Sequence, residues 1–267
     1  MEAGGAMASV SVLMPVFNAE SFVAGAVQSI LAQTHTNFEL IAIEDGSTDR
    51  TADILRSFHD KRLRIITNNG NRGIVESLNA GLGSAAGEYI ARMDADDEAL
   101  PERFERQLAF ITLRPDVAVL GTSVQLIDES GQAIGHEGFP LTDAAIRKTM
   151  FVHNPFCHGS VLIRREVLTQ CGGYDGRFLH NEDYDLWLRI GARHQLANLP
   201  DTLLRRRIHR ESITSKREIE LTAYRIRTLA HAVFSYYRNP LYAVYLVRPV
   251  LAFAARRFFS QVFGFLS

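Results

Sequence analysis

Phe38-Glu39-Leu40-Ile41-Ala42-Ile43-Glu44-Asp45-Gly46-Ser47-Thr48-Asp49 runs from an apolar stretch directly into an acidic, turn-forming one. The first seven residues read as a buried strand. The Asp-Gly-Ser-Thr-Asp that follows reads as a turn, with Thr48 or Asp49 capping a helix over 51–58. The same unit recurs on both sides. Val10–Val16 is a strand followed by a helical stretch over 21–33, and Leu63–Thr67 is a strand followed by a helix over 74–82. A fourth strand over 89–93 leads to a helix whose first turn holds Pro101. Strands alternating with helices imply an α/β fold, with a mostly parallel central sheet flanked by helices.

The second half is more mixed. Residues 117–128 read as strand before a Ser130-Gly131 turn, 160–164 as strand, Arg165–Gln170 as helix, 183–192 as helix and 203–209 as strand. Helical patterns over 219–237 and 241–263 close the chain. Repeats, low-complexity segments and clear linkers are missing. The expected organisation is therefore a flexible tail over 1–9, a catalytic domain over 10–215 divided near 97, and a helical extension over 216–267. The 267 residues suffice for one large core. The net charge of −1 does not point to a nucleic-acid partner. Cys157 and Cys171 form no CxxC pair, so a thiolate metal site is not expected and a reducing cytosol is. The first nine residues lack a signal-peptide layout, and Arg248-Pro249 breaks the most apolar late stretch, so neither export nor a membrane span is indicated.

Three acidic clusters stand where strands or helices begin or end. The first is Glu44-Asp45-Gly46-Ser47-Thr48-Asp49, at the carboxyl end of a strand, where ligands of open α/β sheets gather. As a lone motif it is equally a turn and cap. The second, Asp94-Ala95-Asp96-Asp97, packs three carboxylates into four residues behind a buried strand. They repel one another unless a cation neutralises them, and hard divalent cations share such oxygens with substrate phosphates. The third, Glu182-Asp183-Tyr184-Asp185, opens a helix. The helix dipole alone accounts for acids there, and a half-buried carboxylate among them can also serve as a general base.

Taken in order, these motifs resemble the family 2 glycosyltransferases over residues 10–214. The opening strand and loop Val10-Ser-Val-Leu-Met-Pro-Val-Phe-Asn18, the Glu44–Asp49 turn, Asn69-Gly70-Asn71-Arg72-Gly73, Asn79-Ala80-Gly81-Leu82 and Gly87-Glu88-Tyr89-Ile90 are similar to that family's nucleotide half. Asp94-Ala95-Asp96-Asp97 is similar to its DxD motif. His158-Gly159-Ser160, Gly172-Gly173-Tyr174-Asp175 and Glu182 through Arg189 are similar to its acceptor half. The resemblance implies a GT-A fold and inverting transfer from a nucleotide diphosphate sugar, a UDP-sugar by expectation, to a saccharide or lipid-linked acceptor in polysaccharide or cell-surface glycan synthesis.

Carried over by position, Pro15, Phe17, Asn18, Glu44, Asp45, Asn71, Gly73, Asn79, Asp94, Ala95 and Asp96 would face the donor, with Asp45 at the base and Asp94 at the ribose or sugar. Asp96 and His209 would hold Mn²⁺ or Mg²⁺, an imidazole favouring Mn²⁺. Asp183 would be the general base with Glu182 beside it, and His158, Gly159 and Trp187 would lie on the acceptor side. Glu44 stands where an Asp is commoner, Leu78 where an Arg is common, and no Gln-x-x-Arg-Trp follows Arg189, which argues against a processive synthase.

Two other classes remain on the residues alone. A metal-dependent nucleotidyltransferase would carry a glycine-rich basic loop after its first strand, but Pro15-Val-Phe-Asn-Ala-Glu20 has neither glycine nor base. A non-catalytic nucleotide- or carbohydrate-binding module would not need both the DxD-like run and the Glu182-Asp183 pair. A dinucleotide fold is not expected without GxGxxG. From Lys216 onward Lys216, Arg217, Arg225, Arg227, Arg238, Arg248, Arg256 and Arg257 face only Glu218 and Glu220. A basic, apolar-rich helix of this kind fits a membrane surface or a homodimer contact. A cytoplasmic enzyme, peripheral on the inner face of the plasma membrane, is the corresponding expectation.

Overall fold

The structure is a computed structural model that describes residues 9–209, 218–247, 250 and 251. The expected tail over 1–9 lies outside the described residues apart from Ser9. So do parts of the expected C-terminal extension and the stretch from Arg210 to Thr214.

Four strands build the first half: β1 (Val10–Val16), β2 (Phe38–Glu44), β3 (Leu63–Thr67) and β4 (Tyr89–Arg92). They are parallel, in the order β3-β2-β1-β4. Helices α1 (Val23–Leu31), α2 (Thr51–Ser57) and α3 (Ile74–Ser84) make the crossovers. The apolar runs are continuous because both faces of the sheet are covered. Val12, Met14, Leu40 and Ala42 enter one core, and Leu13, Ile41 and Ile43 the other. In register Val16 pairs with Glu44, and Leu13 with Arg92. The acidic segments after β2 and β4 therefore emerge on the two sides of β1, at one edge of the sheet.

The second half is mixed. A two-residue β5 (Glu98–Ala99) precedes α4 (Arg103–Ile111), β6 (Val117–Ile127), β7 (Ala133–Glu137), α5 (Asp143–Thr149), β8 (Leu162–Arg164), α6 (Arg165–Gln170), α7 (Glu182–Gly191) and β9 (Gln195–Arg207). The sheet continues β4-β8-β6-β9-β5, with β6 and β9 parallel, the β8 and β5 pairings antiparallel, and β7 hydrogen-bonded to the outer part of β6. Three elements had no clear sequence pattern. β7 is almost wholly exposed, α5 buries only Ile146, and the first half of β9 contains Asn198, Pro200 and Asp201. Pro200 and Asp201 are tolerated because the ladder skips them between the Leu199–Thr122 and Thr202–Ser123 pairs.

Helix α8 (Glu218–His231) continues as a π-turn over Ala232–Tyr237 and a 3₁₀ turn over Pro240–Ala243. It packs on α7. Tyr236 Oη donates to Asp185 Oδ1 at 2.7 Å, and Phe151 is enclosed by the rings of Tyr237, Tyr242 and Tyr245.

Candidate active site

At the carboxyl ends of β1 and β2 the candidate site is a pair of interlocked turns. Asp45 leaves β2 with its carboxylate 4% exposed, and its two oxygens accept from Asn68 Nδ2 (2.7 Å) and the amides of Arg72 (2.9 Å) and Gly73 (2.8 Å). The side chain expected at the base thus fastens the 68–73 turn to the strand end. Gly46 sits at φ 75°, and a Cβ there would lie 2.6 Å from the Gly70 carbonyl carbon, so only glycine lets the turns touch. Glu44 Oε1 accepts from the Ser47 amide. Asn18, at φ 47°, accepts from the Thr48 amide at 2.9 Å and ties the β1 loop to the same turn. Pro15 is half-buried, the Phe17 ring is 44% exposed, and Asn71 is exposed, so this rim is open. Asn79 is spent elsewhere, clamping the Tyr174 backbone through its Nδ2 (2.8 Å) and Oδ1 (2.9 Å). Leu78, where an arginine is common in the resemblance, is fully buried core.

The second cluster follows β4. Met93 and Ala95 point inward, Asp94 and Asp96 are half-exposed, and Asp97 is buried. Burial first, then the neighbouring carboxylate Asp94, pushes Asp96 above its ordinary range, and Asp97 is raised further for the same reasons. Cations answer this charge from two directions. Arg92, 2% exposed, pairs with Asp94. From β9, the Arg207 amide donates to Asp97 Oδ1 (2.8 Å) while its guanidinium donates to the Asp96 carbonyl (2.9 Å) and Glu98 (2.7 Å). His209 Nε2 lies 2.9 Å from Asp96 Oδ2, with its ring against Phe22.

The third cluster is the first turn of α7. Asp183 Oδ2 accepts from Asn154 Nδ2 at 2.7 Å, and Oδ1 accepts from the Tyr184 amide. Burial raises Asp183, and burial with the Asp183 charge pushes Glu182 up to about 7. The Arg92 charge lowers both carboxyls, so one buried guanidinium acts on the acids of β4 and α7 together. Gly159 packs against the second cluster: a Cβ there would stand 2.9 Å from Asp97 Oδ2 and 3.2 Å from Asp94 Oδ2. Next to it His158 Nε2 meets Tyr174 Oη at 2.9 Å, and burial holds the imidazole well below its ordinary pKa, in the neutral form. Trp187, expected on the acceptor side, is wholly buried, its ring packed T-shaped with that of His158, so it supports this region from below without lining it.

The glycosyl transferase family 2 model matches residues 11–172, from β1 through the acidic turns to α6. The chain belongs to glycosyl transferase family 2. Among relatives of this glycosyltransferase, an uncharacterized glycosyltransferase of Haemophilus influenzae is 33% identical over 77% of this chain and 67% of its own length. The amylovoran biosynthesis glycosyltransferase AmsE of Erwinia amylovora is 33% identical over 89% of this chain and 91% of its own. The O-antigen biosynthesis glycosyltransferase WbnJ of Escherichia coli is 35% identical over 76% and 81%. Of solved structures, S. aureus TarS 1-349 in complex with UDP-GlcNAc superposes with TM-score 0.74 at 18% identity over 95% of this chain and 75% of that one. The mannosyltransferase PcManGT from Pyrobaculum calidifontis, in complex with GDP-Man and Mn²⁺, gives 0.63 at 17% over 93% and 75%. These likenesses show the GT-A fold. Family membership decides against the nucleotidyltransferase and the non-catalytic module.

The residues of this transferase fit a divalent cation as a partial set. Among the described residues no three His, Cys, Asp or Glu side chains converge on one point. Asp96 and His209 form a two-donor pair, and the crowded carboxylates around Asp96 carry negative charge that a cation relieves. Hard cations of this kind take their remaining oxygens from phosphate and water.

Arg92, Arg207 and Asn154 are site residues that the sequence reading passed over. One signal was available for Arg92: it is the single charge in the buried Tyr89-Ile90-Ala91-Arg92-Met93 run, directly before three acids. For Arg207 and Asn154 the partners lie 111 and 29 residues away, and no local pattern reports them.

Proposed function

We propose that the enzyme transfers a sugar from a nucleotide diphosphate sugar, a UDP-sugar, to a saccharide or lipid-linked saccharide acceptor with inversion, in polysaccharide or cell-surface glycan biosynthesis. The observation that carries the reading is the pair of separate carboxylate sets, one after β4 and one at the start of α7, both within reach of the charge of one buried arginine, Arg92. The names of AmsE and WbnJ support the polysaccharide setting, and the UDP-GlcNAc and GDP-Man complexes of TarS and PcManGT support a nucleotide-sugar donor.

In this mechanism Pro15, Phe17, Asn18, Glu44, Asn71 and Gly73 form the base and ribose rim, with Asp45 at the base end keeping the rim in shape. Asp94 and the Ala95 backbone lie at the ribose and sugar. Asp96 and His209 would hold Mn²⁺ or Mg²⁺, which supplies positive charge to the departing diphosphate when bound. Asp183, oriented by Asn154, takes the proton of the acceptor hydroxyl. The oxygen then forms its bond to the anomeric carbon as the carbon–phosphate oxygen bond breaks and its electron pair leaves with the diphosphate. A single displacement inverts the centre. Glu182, neutral up to about pH 7, stands beside the base and spares it a second adjacent charge.

The test is transfer with a panel of UDP- and GDP-sugars, read by NMR of the product anomer, on wild type and Asp183→Asn. Inversion is expected, with Asp183→Asn slower by about a hundred- to ten-thousand-fold while donor binding persists. A product with retained configuration, or an Asp183→Asn enzyme of full activity, refutes the mechanism.

A further inference from the structure

The C-terminal segment has two apolar sides, and the fold uses only one. On the used side Tyr242 and Tyr245 stack on Phe151 at ring-centroid distances of 4.8 and 5.2 Å, Tyr237 meets it edge-on, and Leu246 packs on the same core. Away from that core Phe234, Leu241, Val244, Val247, Val250 and Leu251 are 62, 79, 65, 54, 44 and 64% exposed. Positions 241, 244 and 247 recur at three-residue steps, so they share one side of the helical path over 240–247. Isolated exposed apolar residues are ordinary, whereas a contiguous row of them marks a contact surface.

Charge identifies what it contacts. From residue 221 to the end the sequence holds no Asp or Glu, and its arginines are Arg225, Arg227, Arg238, Arg248, Arg256 and Arg257. Arg225 turns inward to the Val152 carbonyl, but Arg227 and Arg238 are exposed. A second copy docked by a two-fold axis would set this acid-free cationic segment against itself, with no carboxylate in it to pair. An anionic lipid surface supplies both an apolar layer for the row and phosphates for the arginines. Among the described residues no helix is long and apolar enough to cross a membrane, so the row would lie along the surface.

We propose that the exposed apolar residues Phe234, Leu241, Val244, Val247 and Leu251 rest in the interfacial layer of an anionic bilayer, with Arg227 and Arg238 on lipid phosphates. The same segment is seated on α7 through Tyr236 and Asp185, and the first turn of α7 carries Asp183. A bilayer bound here would lie against the half of the enzyme that holds the proposed base.

The experiment is co-sedimentation of the full chain with vesicles of phosphatidylcholine alone or mixed with phosphatidylglycerol, at low salt and at about 0.15 M salt. Binding to the anionic vesicles only, weakened by salt, is expected. The exposed-face variant Leu241→Ser/Val244→Ser/Leu251→Ser should lose about tenfold or more of the partitioning, with its melting curve and donor hydrolysis unchanged. The charge variant Arg227→Gln/Arg238→Gln should bind more weakly and with a flatter salt response. If the triple variant fails to fold, the charge variant alone decides. No binding to anionic vesicles at low salt, equal binding to phosphatidylcholine, or a dimer that the triple variant dissolves while vesicle binding persists overturns the proposal. Vesicle binding reads no sugar chemistry, so its failure leaves the transferase reading standing, and the reverse holds.

Discussion

Arg92→Met tests whether the buried guanidinium holds the two acid sets together. The side chain is 2% exposed and pairs with Asp94, and its charge also acts on Asp97, Glu182 and Asp183. Methionine keeps most of the stem volume, so the loss is electrostatic. Removing one partner of a buried pair costs about 3–5 kcal/mol because the other charge stays behind uncompensated. The Asp94 side chain is 38% exposed, which lets water take up part of that charge and lowers the expectation to about 2–3 kcal/mol. At roughly 1.4 kcal/mol per tenfold, the folding equilibrium should fall about 30- to 140-fold. Urea unfolding at pH 8, fitted with a common slope, measures it. Asp94→Asn in the same background should recover part of the loss, giving a coupling of about 1 kcal/mol or more. Arg92 also favours the charged forms of Glu182 and Asp183, so the acidic limb of the transfer profile should move to higher pH in the variant. A variant within about 0.5 kcal/mol of wild type, or strict additivity with Asp94→Asn, refutes the reasoning.

Glu182 binds a proton more tightly in the fold than in the unfolded chain, since its pKa is raised from 4.5 to about 7. Its contribution to stability is therefore greatest below the unfolded value and declines as pH rises toward 7. Glu182→Gln should be more stable than wild type at pH 8, with the gap narrowing as pH falls through 7 toward 5 in paired thermal melts; a gap that widens toward acid contradicts the assignment. Tyr236→Phe removes a 2.7 Å hydrogen bond to the fully buried Asp185, which keeps Arg189 at 2.8 Å. A loss of about 1.5–3 kcal/mol in urea unfolding is expected, with faster amide exchange in α8. Gly159→Ala forces a methyl to within 2.9 Å of Asp97 and 3.2 Å of Asp94. Turnover should fall well before stability does, and a fully active Gly159→Ala enzyme would show that this contact is not part of the site.

The parallel half was legible because its physics is local. Val10–Val16, Phe38–Glu44 and Leu63–Thr67 are bounded as the sequence indicates; in the first two an apolar run ending in turn residues reports a strand covered by helices, while Leu63–Thr67 is the more exposed edge strand. Gln195–Arg207 was read only from residue 203, because Asn198, Pro200 and Asp201 oppose strand formation and persist only through the bulge and through Asn198 Nδ2 donating to the Pro140 and Pro155 carbonyls. Pro101 was placed in the first turn of a helix, yet α4 begins at Arg103 and the proline occupies the turn before it. Within the site, the acids announced themselves as clusters at element ends. Of their counter-charges Arg92 left one local signal, as the single charge of a buried run, while Arg207 acquires meaning only when β9 brings it beside Asp96 and Asp97. Trp187, set on the acceptor side by the resemblance alone, is turned into the core by the helix period.

The saturated carboxylate of Asp45 changes how genetic data at this position should be read. Its two oxygens already accept from Asn68, Arg72 and Gly73, so a substitution there releases the 68–73 turn whether or not the side chain ever meets a donor. A poor donor affinity in Asp45→Ala would accordingly be the phenotype of a lost hinge pin. Asp45→Asn separates the two cases: it keeps one acceptor oxygen for the amides and gives up the charge. A residue ranked among donor contacts by phenotype alone can belong to the mounting on which those contacts sit.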